Sequence, residues 1–168
     1  MVLSRFLRTV LAALCGAVLL VPAVPGPALA ASAERVAARR QVAAYLAAHP
    51  GGVAINDNEI SYGGGALVIT LRAPERNYAV ADCPWGWYCF YDRTDFGYPR
   101  GKLSSCGRQN LATWQWQFRV ESAHYNMSSG SVTFSYYDTP LFSVGAGNRI
   151  RADASPYRNW ANYVNRWC

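Results

Sequence analysis

A mainly β sandwich preceded by one helix and one hairpin is the fold class that three features of this 168-residue chain predict. Short segments after residue 59 place apolar side chains at every second position, the period of a half-buried strand. A helical period of three to four appears once, ahead of them. Four cysteines, Cys83, Cys89, Cys106 and Cys168, lie in an aromatic-rich second half, as expected of a small β domain built for an oxidising compartment.

The first thirty residues read as an export signal. Arg5 and Arg8 form the positive region, Val10 to Val24 the apolar run, and Ala28-Leu29-Ala30 a small-x-small cleavage site. Pro22 and Pro25 interrupt the run, which is shorter than the ~20 apolar residues of a bilayer span, so no membrane span is expected in the mature chain. Cleavage after Ala30 also removes Cys15 and leaves an even cysteine count, which favours two disulfides over a metal site. Taking the two charges of Arg5 and Arg8 from the formal +6 leaves +4. The remaining basic residues, among them Arg72, Arg93, Arg108 and Arg149, are scattered rather than gathered in a stripe, so a nucleic-acid partner is not expected.

Residues 31–82 form an extension. Ser32 can cap a helix running to His49, with Glu34 in its first turn and Val42, Tyr45, Leu46 and His49 as one apolar stripe; Pro50-Gly51-Gly52 ends it. The period then changes to two. Ile60-Ser61-Tyr62, a Gly63-Gly64-Gly65 turn and Ala66–Leu71 predict a hairpin over 59–71, with Leu67, Ile69 and Leu71 on one side. Asn56-Asp57-Asn58-Glu59 lacks the glycine and distal glutamate of a helix-loop-helix calcium site and reads as a polar turn. Residues 73–82 read as a linker. A hairpin alone is not stable in water, so 32–72 is expected to dock on itself or on the domain that follows. The alternative is a propeptide cut off near Asp82.

From Cys83 onward, Trp87–Tyr91 is apolar on both faces and should be buried. Thr113–Glu121 predicts a strand with Trp114, Trp116, Phe118 and Val120 inward, and Ser131–Tyr137 another with Val132, Phe134 and Tyr136 inward. Each needs a second layer to cover its apolar face.

The run Cys83-Pro84-Trp85-Gly86-Trp87-Tyr88-Cys89-Phe90-Tyr91-Asp92-Arg93-Thr94-Asp95-Phe96-Gly97, followed by Cys106-Gly107, Asn110-Leu111, Ser122, Asn126 and Ser131-Val132-Thr133-Phe134, resembles the Streptomyces metalloproteinase inhibitor family over about residues 83–168. The resemblance implies a βγ-crystallin-like Greek-key sandwich in which Tyr91 and Phe96 stack across a folded corner. Gly97 comes one residue earlier than the family's glycine, whose place Tyr98 takes. The resemblance further implies the pairs Cys83–Cys89 and Cys106–Cys168, and a secreted peptidase inhibitor whose loop, here Tyr137, Asp138, Thr139 and Pro140, enters the protease cleft. Asp138, its one charge, is expected to matter most. Family members brace this loop with a local disulfide that this sequence lacks. The calcium position of crystallin-type domains corresponds to Arg119-Val120-Glu121-Ser122-Ala123, where Arg119 and Val120 offer no anionic oxygen.

Catalytic apparatus is not evident. His49 suits a helix C-terminus. Glu121, Ser122 and His124 are near neighbours on one segment and do not converge as a triad. No zinc-protease, phosphate-loop or nucleophile-elbow motif occurs. The chain is expected to be a monomer without enzymatic activity, cofactor or metal, acting on an extracellular protease. The alternative is a carbohydrate- or surface-binding module using Trp85, Tyr157, Trp160 and Trp167, which lie beside turns or the terminus.

Overall fold

The computed structural model describes residues 27–73 and 80–168, with side chains from Ala30 onward. The apolar run of the export signal and most of the linker lie outside the described residues. No described helix is long and apolar enough to cross a membrane.

A single helix and two antiparallel sheets make up the described residues. Helix α1 spans Pro27–Ala48. The strands are β1 (Gly52–Ala54), β2 (Glu59–Tyr62), β3 (Leu67–Thr70), β4 (Trp87–Tyr91), β5 (Arg100–Leu103), β6 (Gly107–Asn110), β7 (Ser122–Asn126), β8 (Ser131–Tyr136), β9 (Thr139–Gly145), β10 (Ile150–Arg151) and β11 (Tyr163–Trp167). One sheet has the order β1-β2-β3-β5-β4-β7-β10 and the other β6-β11-β8-β9. Of the two successive four-strand runs after Cys83, β4–β7 and β8–β11, each lends its third strand to the other run's sheet. Thus β6 pairs with β11, and β10 with β7.

The sheets face each other across one apolar core. Phe90, Tyr88 and Tyr125 from the first meet Phe134, Val132 and Val164 from the second, all fully buried. The Phe90 and Phe134 rings meet edge to face at 6.2 Å. Each of the Phe and Val side chains contributes roughly 1.5–3 kcal/mol by leaving water.

The extension belongs to this core. Strand β3 hydrogen-bonds to β5 with Val68 opposite Lys102 and Thr70 opposite Arg100, which extends the first sheet through β2 to β1. Val42, Ile60, Tyr62, Leu67 and Ile69 pack into the cluster that holds Phe90 and Trp116. The helix begins five residues before the expected start, so Ser32 sits inside it rather than capping it. Its stripe packs as expected: Val42 is buried, and Tyr45 and Leu46 lie against the core. At its end the His49 ring rests on Tyr45 at 4.4 Å, and the His49 carbonyl accepts the Tyr62 hydroxyl at 2.6 Å. The turn between β1 and β2 is the polar one expected, closed by Asn58 N–H donating to Asn56 Oδ1 at 2.8 Å.

Beyond the linker, Asp82 is tied down at once. The hydroxyls of Tyr91 and Tyr98 donate to its carboxylate, and Arg100 pairs with it at 3.1 Å. Burial first, then this carboxylate, push both phenols well above their ordinary value, so they remain donors. Arg100 also donates to Thr70 Oγ1 at 3.1 Å and so clamps the extension to residue 82.

Two strand expectations need correction. Residues 113–121 are not a strand. The Asn110 side chain accepts Ala112 N–H at 2.9 Å and starts a 3-10 turn over Leu111–Trp114, and Gln115 at φ 56° ends it. Trp116 N–H then bonds to Leu111 O at 2.9 Å, so this backbone satisfies itself locally. Trp114, Trp116 and Val120 still point inward, but Phe118, at φ 60°, is 45% exposed. The second strand ends at Tyr136, not Tyr137. An irregularity between Phe134 and Ser135 and the hairpin end carry Tyr136 past the core, where it is 42% exposed.

Candidate functional site

The hairpin joining β8 to β9 carries the residues expected to face a protease. Alternation buries Val132 and Phe134, and past Ser135 the strands outrun the core, leaving Tyr136 through Pro140 exposed as one uninterrupted run. Tyr137 takes a left-handed conformation, φ 49°, and with Asp138 makes the turn. All four residues expected in the protease-facing loop therefore stand together at this tip.

The tip is held from two sides without a disulfide. Arg108, on β6, donates through Nη1 to Asp138 Oδ1 at 2.6 Å and through Nη2 to the Tyr137 carbonyl at 3.0 Å. The buried Asn162 accepts Tyr137 N–H at 2.7 Å through its side chain, and its own N–H donates to Ser135 O at 3.0 Å. Asp138 is thus an anchor of the turn as well as an exposed charge. Arg108 is itself steadied by stacking over Tyr163, its guanidinium 4.1 Å from the ring centroid. Two residues before it, Cys106 is bonded to Cys168.

Aromatic rings continue from the tip in both directions. Tyr136 and Tyr137 meet edge to face at 4.8 Å; Tyr137 lies 6.4 Å from Tyr163, and Tyr136 lies 6.4 Å from Trp160 and 6.3 Å from Phe118. Tyr157 extends the row at 6.4 Å from Trp160. Sequence reasoning found the outer members Tyr157 and Trp160. It missed Tyr163 and Arg108, whose only signal was alternation in strands too short to recognise. Trp167 lies on the β11 face beside Tyr163's end of the row. Trp85, 66% exposed on the loop between Cys83 and Cys89, makes no ring contact with these residues.

Both expected disulfides are formed. Cys83–Cys89 is a buried bond that closes a short loop, and Cys106–Cys168 ties the exposed C-terminus to the start of β6. Tyr91 and Phe96, expected to stack across a folded corner, meet edge to face at 5.5 Å, and the left-handed residues there are Asp95 and Phe96 rather than Gly97. Gly97 serves there by its size, because a Cβ would lie 2.7 Å from Arg93 Cβ.

The tempting triad residues are each engaged elsewhere. Ser122 donates to Arg93 O at 2.7 Å, His124 Nδ1 accepts Cys83 N–H at 3.1 Å, and Glu121 accepts Asn159 Nδ2 at 2.7 Å. Arg119, in the segment that the resemblance matched to a calcium position, forms a two-pronged pair with Asp92 at 2.9 and 3.1 Å and reaches the Tyr45 hydroxyl at 3.0 Å, tying α1 to the domain. Among the described residues no group of three or more His, Cys, Asp or Glu is placed to hold a metal ion. The Asn126 side-chain amide donates to Cys83 O at 2.7 Å.

In comparisons with known proteins, no family model matches this chain, and no curated protein and no solved structure matches it.

Proposed function

We propose that this chain is a secreted, crystallin-type inhibitor of extracellular peptidases, metallopeptidases foremost, which inserts the β8–β9 tip into the protease cleft and performs no chemistry itself. The observation that carries this reading is the tip: Tyr136 to Pro140 project into solvent, yet Arg108 and Asn162 fix the backbone of the turn. A segment ordered before docking loses less entropy when it binds, so the ion pair and two backbone contacts take the part of the missing disulfide. Tyr, Trp and Arg crowd around this tip, and these side chains dominate the energetics of protein interfaces. The mutual loan of third strands and the Tyr91–Phe96 corner support the Greek-key assignment. The two disulfides and the export signal support an extracellular site of action.

The test is titration of the purified secreted chain against thermolysin-like and serine peptidases. Stoichiometric inhibition that weakens at least tenfold in Tyr137→Ala and Pro140→Gly, with native circular dichroism, is the expected result. Absence of inhibition at micromolar protein across the panel rejects the proposal.

A further inference from the structure

Behind the tip, the outer face of the β6-β11-β8-β9 sheet carries a groove of about 180 Å³. Its composition follows from strand pairing. Asn165 on β11 lies opposite Thr133 on β8 and Arg108 on β6, and Tyr163 lies opposite Ser135. Paired residues share a face, and this face is opposite to the one on which Val132, Phe134 and Val164 enter the core. The floor is therefore small and polar, built of Thr133, Ser135 and Asn165. Taller rings rise at its ends, with Tyr163 and Tyr137 toward the tip and Trp167, 61% exposed, toward the C-terminus. Tyr163 and Trp167 are four residues apart on one strand, which sets their backbones about 13 Å apart.

We propose that this groove is a second binding site, distinct in role from the inhibitory tip, and that it takes a strand of uncharged polysaccharide. Three observations support this ligand class. A pyranose ring presents apolar C–H faces within a rim of hydroxyls, and the groove pairs exposed aromatic surface with a polar floor in the same way. The side chains of Asn165 and Ser135 form no hydrogen bond with other described residues, so an amide offering both donor and acceptor and a hydroxyl remain for the sugar. The charged residues of the lining, Arg108 and Asp138, neutralise one another at 2.6 Å, which favours a neutral ligand over phosphate or a sulfated polymer. The volume equals that of about six waters, room for one sugar unit within a longer chain running through an open site.

The experiment is depletion of the full secreted chain by chitin, cellulose and starch granules, with heparin–agarose as the anionic counterpart. Retention on at least one neutral polymer in 0.5 M salt is expected, weakened tenfold or more by Trp167→Ala and by Asn165→Ala. Asn165→Ala covers the case in which the terminal substitution disturbs folding. Failure to bind any neutral polymer overturns the proposal, as does retention that both variants leave unchanged or binding confined to heparin and lost in salt. Peptidase inhibition in Asn165→Ala should remain at the parent level, so the groove and the tip can fail independently.

Discussion

The backbone amide of Cys83 donates to Nδ1 of His124, 41 residues away, across 3.1 Å. A ring that accepts this bond must be unprotonated at Nδ1. Burial foremost, with Arg149 and Arg100 adding to it, lowers the His124 pKa despite the opposing pull of Asp82. The folded value thus lies below the unfolded one of about 6.5, and between the two the unfolded chain binds the extra proton. Stability is fully present above pH ~6.5 and declines as the pH falls toward the folded value. Thermal unfolding at pH 7.5 and 5.5 should show the loss, and His124→Gln should flatten most of it. Equal pH dependence in the two proteins would exclude His124 as its source.

Arg108 and Asp138 are 47% and 88% exposed, so their pair adds at most about 1 kcal/mol to stability. Arg108→Ala should therefore unfold near the parent temperature while amide exchange at the tip accelerates several-fold. A parent-like exchange rate for residues 136–139 would show that Asn162 alone holds the turn.

The two disulfides should separate by access and by loop length. Under mild dithiol, the exposed Cys106–Cys168 bond should open while the buried Cys83–Cys89 bond persists, as mass spectrometry after alkylation would reveal. Across a separation of 62 residues the terminal bond restricts the unfolded chain by roughly 4 kcal/mol, against ~2 for the short loop. A buried serine at Cys83 adds about 1 kcal/mol to the smaller figure. Cys168→Ser should still be the more destabilising change in urea titration.

Gly130 has φ 83°, and a Cβ there would run into the Trp167 carbonyl and come within 3.0 Å of the Tyr125 hydroxyl. Gly130→Ala should cost about 2–4 kcal/mol, because it combines backbone strain with overpacking against main chain. A shift in urea midpoint equivalent to less than 1 kcal/mol would contradict this packing.

Severing the chain between residues 73 and 82 should not release the extension. The β3–β5 ladder, the shared core and the Arg100 clamp all lie outside that interval. Gel filtration of a nicked sample should give one peak containing both pieces, and two peaks would refute the docking.

The parts of the fold governed by a local period were legible in the residues: the Val42–Tyr45–Leu46 stripe, the 59–71 hairpin and the buried 87–91 strand. The 113–121 segment was not, because strand and 3-10 turn can bury the same alternating tryptophans. What decides between them is the side chain of Asn110 and the left-handed residue Gln115, neither of which alters the hydrophobic pattern. At the site, Tyr137–Pro140 could be located only through the resemblance to the metalloproteinase inhibitors. Their brace could not, since Arg108 is 30 residues from Asp138 and meets it only through the loan of β6 to the other sheet. Groove residues such as Asn165 were invisible for the same reason: strand neighbours define the groove, and sequence neighbours do not.

That exchange of third strands also means that neither half of the domain is complete alone. Excision of β8–β11 would take β10 from the first sheet and leave β6 without a partner, and loss of β4–β7 would do the reverse. Under proteolysis this removes the half-cleaved intermediate: a cut that frees one half destroys both, so the molecule resists trimming for as long as it resists global opening.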